Sequence, residues 1–461
     1  MSVGTPTPIL ARAYAGTGML GSGYAQRSLD TAMRWSPDFI AVDGGSTDAG
    51  PAYLATGTSM FGGQATRNDL GPLLRAALSA RIPLIIGSAG TGGGDRNLAW
   101  LREQLLHVAH EQGARFTLAT IHAELDRPQV ADAYTRGHLR ALPGAPRVDA
   151  DGIRAADVVV GMMGPEPIVA ALDAGADVVV AGRTSDAALF AAVPMQRGVE
   201  PGTAWHMGKV LECGAAAVTH RTHPDGMFAW LERDAFTVRP PNDAYRCTPL
   251  SVAAHALYEN ADPFRLTEPS GVVNLRGAHY EAIDERSVRV SGSTFEPATT
   301  YTVKLEGASL VGYRSVVQGG IRDPYVLRQL DRWLAEVREA TAARIERTHA
   351  GAPFELVVRT YGANGVMGHL EPTPTPRHEV FVSFEITAAE QATAHAMAND
   401  LRHIALHHPI PEWHGLITVL AHPHSPAVID LGPAYRFVLH HTLPVDDPTA
   451  LFPIELEAVG R

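Results

Sequence analysis

An α/β fold is expected for the first half of this chain, with a doubly wound, mostly parallel sheet, followed by a C-terminal α+β domain. Three observations lead there. Six short apolar runs, Pro8–Ala13, Asp38–Val42, Pro83–Ile86, Phe116–Ile121, Asp157–Val160 and Asp177–Val180, recur with helical patterns between them, as in βαβ units. The runs Val158-Val159-Val160 and Val178-Val179-Val180 are continuous, as in strands covered on both faces. Past about residue 230 the rhythm changes to short strand-like runs interrupted by a few long helices, which favours antiparallel pairing.

The intervening helices carry their own signals. Asn97–Gly113 sets Leu98, Leu101, Leu105 and Val108 on one face, and Pro165–Ala174 opens on prolines and closes at Gly175. Later, Phe236–Arg239, Gly271–Arg276, Ser287–Ser291, Tyr301–Leu305, Phe354–Thr360, Glu379–Glu385, Gly415–Leu420 and Tyr435–His440 have the pattern of strands. Pro249–Glu259, Pro324–Glu346 and Ala388–His407 have that of helices, and the four-proline stretch His369–His378 that of a rigid loop. These divide the chain into residues 1–230, an α/β domain with a ligand cleft at its strand carboxyl ends, residues 231–350, an α+β extension, and residues 351–461, a C-terminal α+β region. The strands Val380–Phe384 and Phe437–Leu439 could extend a sheet across a two-fold axis, so a homo-oligomer is expected.

Composition removes several function classes. A net charge of −11 argues against a nucleic-acid groove or an anionic membrane surface as partner. Cys213 and Cys247 are the only cysteines, too few for a zinc ribbon, a disulfide framework or a cysteine-held iron–sulfur cluster. No basic-then-apolar leader opens the sequence and no run approaches the ~18 apolar residues of a membrane helix. A soluble, cytoplasmic protein is expected.

Ligands of open α/β sheets bind beyond the carboxyl ends of the strands, and here those ends are rich in glycine, hydroxyl and acidic residues. After the first strand comes Gly16–Gly23, and after the second Asp43-Gly44-Gly45-Ser46-Thr47-Asp48. The third strand is followed by Gly87–Arg96, the fourth by His122-Ala123-Glu124, and the sixth by Gly182-Arg183-Thr184-Ser185-Asp186. The glycine-rich Gly87–Arg96 could cradle an anion at a helix start, yet it lacks both the P-loop Gly-Lys-Ser/Thr and the three-glycine dinucleotide fingerprint. Asp95 would alternatively cap the next helix. Asp43 and Asp48 could share a proton, bind a divalent ion or orient a hydroxyl, or simply cap and tie a turn. His122 and Glu124, two apart in extended chain, share a face and could work as an acid/base pair or as a structural pair. They also offer two ligands of different type to a divalent metal, but no third is adjacent and no metal ligand is assigned. Arg183 suits a substrate carboxylate or phosphate. Ser46, Thr47, Ser88, Gly93, Asp95, Arg96, Arg183 and Thr184 are therefore the expected binding residues, and Asp43, Asp48, His122, Glu124 and Asp186 the expected catalytic ones. On the stretch Trp205–Thr219, His206, Glu212 and Cys213 lie together, with Cys213 more naturally a packing residue than a nucleophile. His407, His408, His414, His422, His424, His440 and His441 lack the spacing of a metal cluster, and most are read as surface or interface residues.

Four stretches, Asp43–Pro51, Ala181–Phe190, His206–Gly214 and Gly319-Gly320-Ile321-Arg322-Asp323-Pro324, together resemble the acyclic terpene utilisation (AtuA-like) family. The similarity runs from about Ala11 to about residue 350. Beyond it, Ala352–Leu356 and Ser425–Phe437 look like that family's C-terminal region and are akin to its small companion domain. Gly16-Thr17-Gly18-Met19 departs from the cysteine-containing Gly-Cys-Gly-Ala-type loop of many members. The resemblance implies catabolism of branched acids or their CoA thioesters, with a small carboxylate or acyl-CoA as the partner molecule.

The chemistry follows from what the strand ends offer. NAD, FAD, PLP and iron–sulfur cofactors are not expected, and a nucleophile elbow Gly-x-Ser-x-Gly is lacking at a strand end. The remaining groups suit adding or removing water beside a carboxylate or thioester, with His122 or Glu124 as base and Asp43 or Asp48 as its partner. A hydratase or dehydratase is therefore expected. A hydrolase acting through activated water on an amide or lactone would use the same groups, and a ligand-binding subunit of an acyl-CoA enzyme would need only some of them.

Overall fold

The computed structural model describes residues 8–258, 260–372, 378–412 and 419–460. The expected strand at Gly415–Leu420, the expected loop at His369–His378 and His414 fall wholly or partly outside them. Two compact units are formed, Met1–Ser309 with Phe437–Arg461, and Leu310–Arg436. The strands Thr302–Ile321 and Val428–Pro444 carry the chain from the first to the second and back.

In the first unit the six expected strands form as β1 (Ala11–Ala15), β2 (Phe39–Asp43), β3 (Leu84–Gly87), β4 (Phe116–Ile121), β5 (Val158–Met162) and β6 (Val178–Ala181). Five of them lie parallel in the order β1-β2-β3-β6-β4. Their continuous apolar runs are explained by burial on both faces. Ile40, Val42, Leu84, Ile86, Val178 and Val180 pack with Leu70, Leu73, Leu98, Leu101 and Leu105 from the helices Gly63–Ala80 and Asp95–Gln112. Phe39, Ala41, Ile85, Val179 and Ala181 face the other way, onto Ile168, Leu189, Phe190, Trp205 and Val210. The helix Asp95–Gln112 closes on Gly113, whose φ of 59° is a left-handed conformation that favours glycine.

The structure adds three features to this parallel centre. β5 is not part of it, because the free edge of β4 is taken by the antiparallel strand Ile454–Val459, and β5 instead pairs antiparallel with Lys304–Ala308. On the other side β1 is flanked by antiparallel strands Met227–Leu231, Ala235–Arg239, Val288–Ser291 and His279–Ala282. A sheet of ten strands results among the described residues, and it continues past residue 230.

The second unit is an antiparallel sheet with helices. Val380–Ala388 pairs with Phe354–Tyr361 on one side and with Tyr313–Ile321 on the other. Helices Leu330–Thr348 and Gln391–His407 bury Trp333, Val337, Ile345, Met397 and Leu401 against Val382, Phe384 and Ile386. Val380–Ala388 is hydrogen-bonded along both edges, so it offers no free edge through which to extend the sheet into a second copy. No helix among the described residues is long and apolar enough to cross a membrane.

Candidate active site

The loops after β2, β3 and β6 lock onto one another through their backbones. Ser88 N–H donates to Gly182 (2.9 Å), Thr91 N–H to Gly44 (3.1 Å) and Arg183 N–H to Gly93 (3.0 Å). The amides of Ala89 and Gly93 are likewise given to the carbonyls of Ala181 and Ala89, so four amides of the glycine-rich loop serve the fold. Glycine is required where these loops touch. Gly93 has φ of 70°, and a Cβ there would stand 2.4 Å from the Arg183 nitrogen. Gly93→Ala should therefore destabilise the protein by about 1–3 kcal/mol, from left-handed strain and a backbone clash. A urea titration reads this, and an unchanged midpoint would contradict the packing. Ser88 and Thr91 also have positive φ, 43° and 84°, an uncommon conformation for side-chain-bearing residues.

This frame holds a buried cluster of charged groups. The Arg183 Nε donates to Glu306 (2.8 Å), and its Nη1 donates to Ser88 Oγ (3.2 Å), the Thr184 carbonyl (3.0 Å) and Asp186 (3.4 Å). Glu306 also receives the Thr47 hydroxyl at 2.9 Å and lies 2.8 Å from Lys304 Nζ. On the helix Pro201–Leu211, Lys209 reaches Glu212 at 2.5 Å and sits 4.8 Å over the Tyr258 ring. The Ser185 hydroxyl donates to Glu268 at 2.7 Å. Asp43, 5% exposed, accepts at Oδ1 from the Gly45 amide (3.2 Å), and no hydrogen bond reaches its Oδ2 among the described residues. Thus Asp43, Thr47, Ser88, Arg183, Thr184 and Asp186 come together, while Lys209, Glu212, Glu268 and Glu306 join them from elements beyond the strand-end loops.

Burial sets the protonation of this cluster. It pushes Asp43 well up, and the Asp186 charge adds to the effect. Asp186 is itself raised by burial, against the pull of Arg183. Burial carries Glu212 to about 8 despite Lys209, and Glu268 to about 7 despite the Ser185 hydroxyl, with Asp186 raising both further. Glu306 goes the other way, since Arg183 and Lys304 overcome its burial and hold it at about 2. A carboxyl raised in the folded state stabilises most below its unfolded pKa of about 4.5 and loses that contribution as pH rises through the folded value. Stability should therefore fall between about pH 5 and pH 8 on account of Glu212 and Glu268, and Glu268→Gln should flatten the decline. Melting temperatures across that range give the answer, and a Glu268→Gln profile as steep as the parent's would contradict it.

A second group surrounds Asp95. His122 Nδ1 bonds its carboxylate at 2.8 Å, and the Asp95 amide donates to Glu124 at 3.0 Å. Both side chains thus meet the same residue, as the i, i+2 spacing on a strand allows. His122 Nε2 has no hydrogen-bond partner among the described residues and lies 3.6 Å from Glu455. Burial raises Glu124, partly offset by the Asp95 amide. Asp48 and Arg96 are exposed, and Ser46 accepts from the Asp48 amide at 3.2 Å as the cap of a short helical turn.

Other sequence candidates are structural. His206 is buried between Ser293 Oγ (2.6 Å) and the Tyr280 hydroxyl (3.2 Å), which leaves it neutral, with its pKa pushed by burial to about 3. Cys213 lies 3.5 Å from the Tyr258 hydroxyl, and burial raises its thiol to about 12, too high for a ready thiolate. Of the late histidines, His408 pairs with Glu336 at 3.1 Å and His422 Nδ1 meets the Gln318 carbonyl at 2.8 Å. Among the described residues no three His, Cys, Asp or Glu side chains are grouped to hold a metal ion.

The family model for acyclic terpene utilisation family protein AtuA matches residues 59–221 and 235–429. The chain belongs to this family. Arg183, Asp186, Lys209, Glu212, Glu268 and Glu306 of the AtuA-family chain lie inside the matched regions, and Asp43 and Thr47 precede them. No curated protein and no solved structure matches the chain.

Proposed function

We propose that this member of the AtuA family is a catabolic hydro-lyase, adding or removing water beside the carbonyl of a small branched or unsaturated carboxylic acid or its CoA thioester. The observation that carries this reading is the position of Asp186. Its charge acts on the buried Asp43 and Glu212 and on the half-buried Glu268, three carboxyls each pushed toward the protonated form. Asp186, held by Arg183 at 3.4 Å and about a third exposed, can exchange its proton with solvent, whereas Asp43 is buried, so acid and base roles can be divided between them. In dehydration, Asp186 takes the proton from the carbon next to the carbonyl, and the Lys209 ammonium offsets charge developing on the carbonyl oxygen. The Asp43 carboxyl delivers a proton to the departing hydroxyl, so an alkene and water are released, and exchange with solvent then takes the proton from Asp186 and reprotonates Asp43. Glu212 holds Lys209 in place. His122 and Glu124, grouped around Asp95, are assigned to positioning the loop that carries Gly93.

The assay is direct. A panel of 3-hydroxy and 2,3-unsaturated branched acids and thioesters should contain a pair that the protein interconverts, followed by absorbance of the conjugated carbonyl. Cleavage of an amide or lactone by the same protein, with no interconversion, would transfer the site to the hydrolases. Binding of such compounds without any turnover would make the chain a ligand-carrying subunit.

A further inference from the structure

Lysine is almost absent from this chain. Of its 38 lysine and arginine residues only two are lysines, Lys209 and Lys304, and both stand in the charged cluster. Arginine takes every other such position, including Arg183 in the same cluster, whose side chain is 5% exposed and ion-paired to Glu306. Burial beside a carboxylate therefore does not by itself call for lysine. What lysine adds is a primary amine, which can give up its proton and bond to carbon, whereas a guanidinium stays charged.

The two lysines differ in what their partners can accept. Lys304 meets Glu306 at 2.8 Å, but Glu306 is shared with Arg183 and held at about 2, so it does not take a proton from an amine. Lys209 meets Glu212 at 2.5 Å, on a helix otherwise buried through Trp205, Met207 and Val210. Burial pushes Glu212 to about 8, so it binds a proton near neutral pH, and the ammonium has an acceptor within hydrogen-bond distance. The pair is not sealed from solvent. The Lys209 side chain is 11% exposed, and that of Asp186, whose charge acts on Glu212, is 31% exposed.

We infer that Lys209 is the reacting amine of this cluster, condensing with a ketone or aldehyde carbonyl to an iminium while Glu212 relays the proton. The ammonium passes a proton to Glu212, the amine nitrogen bonds to the carbonyl carbon, and the carbon–oxygen bond then breaks. The oxygen leaves as water with two protons that came from the ammonium, one of them by way of Glu212. The single positive charge stays on nitrogen, and neither oxidant nor reductant is used. That charge draws electrons from the neighbouring carbon, where Asp186 takes its proton, so the iminium does what the ammonium does for an uncondensed carbonyl. Hydrolysis reverses the condensation and frees Lys209. Placing the substrate at this cluster rests on the proposed function. The substrate is narrowed to an acid or thioester that also carries a ketone or aldehyde, since an amine attacking the thioester itself ends as a stable amide.

Reductive trapping locates the amine on the parent protein and needs no turnover. Butanone and sodium cyanoborohydride are added to the full-length protein near neutral pH, and peptide mass mapping finds which amine gains a butyl group. Lys209 should gain it at least about tenfold faster than Lys304 or the α-amino group. Glu212→Gln, close in shape to the parent residue and checked for folding by circular dichroism, should slow that labelling by about tenfold or more. Earlier labelling of Lys304 or the α-amino group, an unlabelled Lys209, or undiminished labelling in Glu212→Gln would overturn the inference. Labelling of Lys209 in a protein that dehydrates no hydroxy acid, thioester or ketone would keep the inference and remove the hydro-lyase reading. Dehydration of a hydroxy thioester by a protein whose Lys209 stays unlabelled would keep that reading and remove the inference.

Discussion

Arg183→Met should cost the fold about 3–5 kcal/mol, because removing one partner of a buried ion pair strands the other. Arg183 and Glu306 are both almost fully buried and meet at 2.8 Å. Lys304 and the Thr47 hydroxyl remain on Glu306 in the variant, which places the loss toward the lower end of the range. The double change Arg183→Met with Glu306→Gln removes the stranded charge and should recover a large part of that stability. Urea unfolding of the parent, both single variants and the double variant gives the coupling. Additive losses would mean that the pair does not act as a unit. Ligand-free protein suffices, so the result is independent of the reaction.

The second large effect concerns turnover. Asp186→Asn keeps the side-chain shape and removes the charge that acts on Asp43, Glu212 and Glu268. Interconversion of the alkene and alcohol should fall by about 10²-fold or more, as for loss of a general base. Asp43→Asn should fall by a comparable factor, since it leaves the departing hydroxyl without its acid. His122→Gln should be milder and should act through loop placement, lowering the melting temperature as it lowers the rate. A His122→Gln variant that loses about 10²-fold in turnover at unchanged stability would move the base to the Asp95 group. Near-parent rates in Asp186→Asn would remove Asp186 from the chemistry.

These residues differ in how visible they are in the sequence. Asp43, Ser88, Arg183 and Asp186 stand directly after valine- and isoleucine-rich runs, and a strand's carboxyl end is where an open α/β sheet presents its ligand-binding side chains. Lys209, Glu268 and Glu306 have no such punctuation. Lys209 and Glu212 lie three apart in a helix that is otherwise buried through Trp205, Met207, Val210 and Leu211. A close charged pair in an apolar helix was the available signal, because buried charges seldom occur without a partner. Glu306 belongs to the twenty-residue strand Thr302–Ile321, and Glu268 to the strand Arg265–Glu268. Pairing that is distant along the chain brings these two to the cluster, and no local pattern encodes it. The same holds for β5. Its Val-Val-Val run indicated a buried strand, but the neighbour was decided by Ile454–Val459 occupying the edge of β4.

His206 and Arg183 show the converse. A histidine and a cysteine seven residues apart on one helix read as a functional face, but the Ser293 and Tyr280 hydroxyls and the Phe236 ring absorb the imidazole into the core. Arg183 read as an anchor for a ligand's anion, but its hydrogen bonds run to Glu306, Ser88, Thr184 and Asp186. Residue type and spacing located both side chains correctly in the fold. Their partners, which determine what each can do, came from elsewhere in the chain.

The proposed reaction turns on proton transfer at the carbon next to a carbonyl, with Asp186 as the base. Incubating the protein with an interconverting pair in deuterium oxide and following the substrate by mass spectrometry tests it most directly. Deuterium should enter the position next to the carbonyl of the alcohol, and Asp186→Asn should suppress its entry by about 10²-fold or more. Turnover that leaves this position unlabelled, or labelling that persists at the parent rate in Asp186→Asn, would contradict the account.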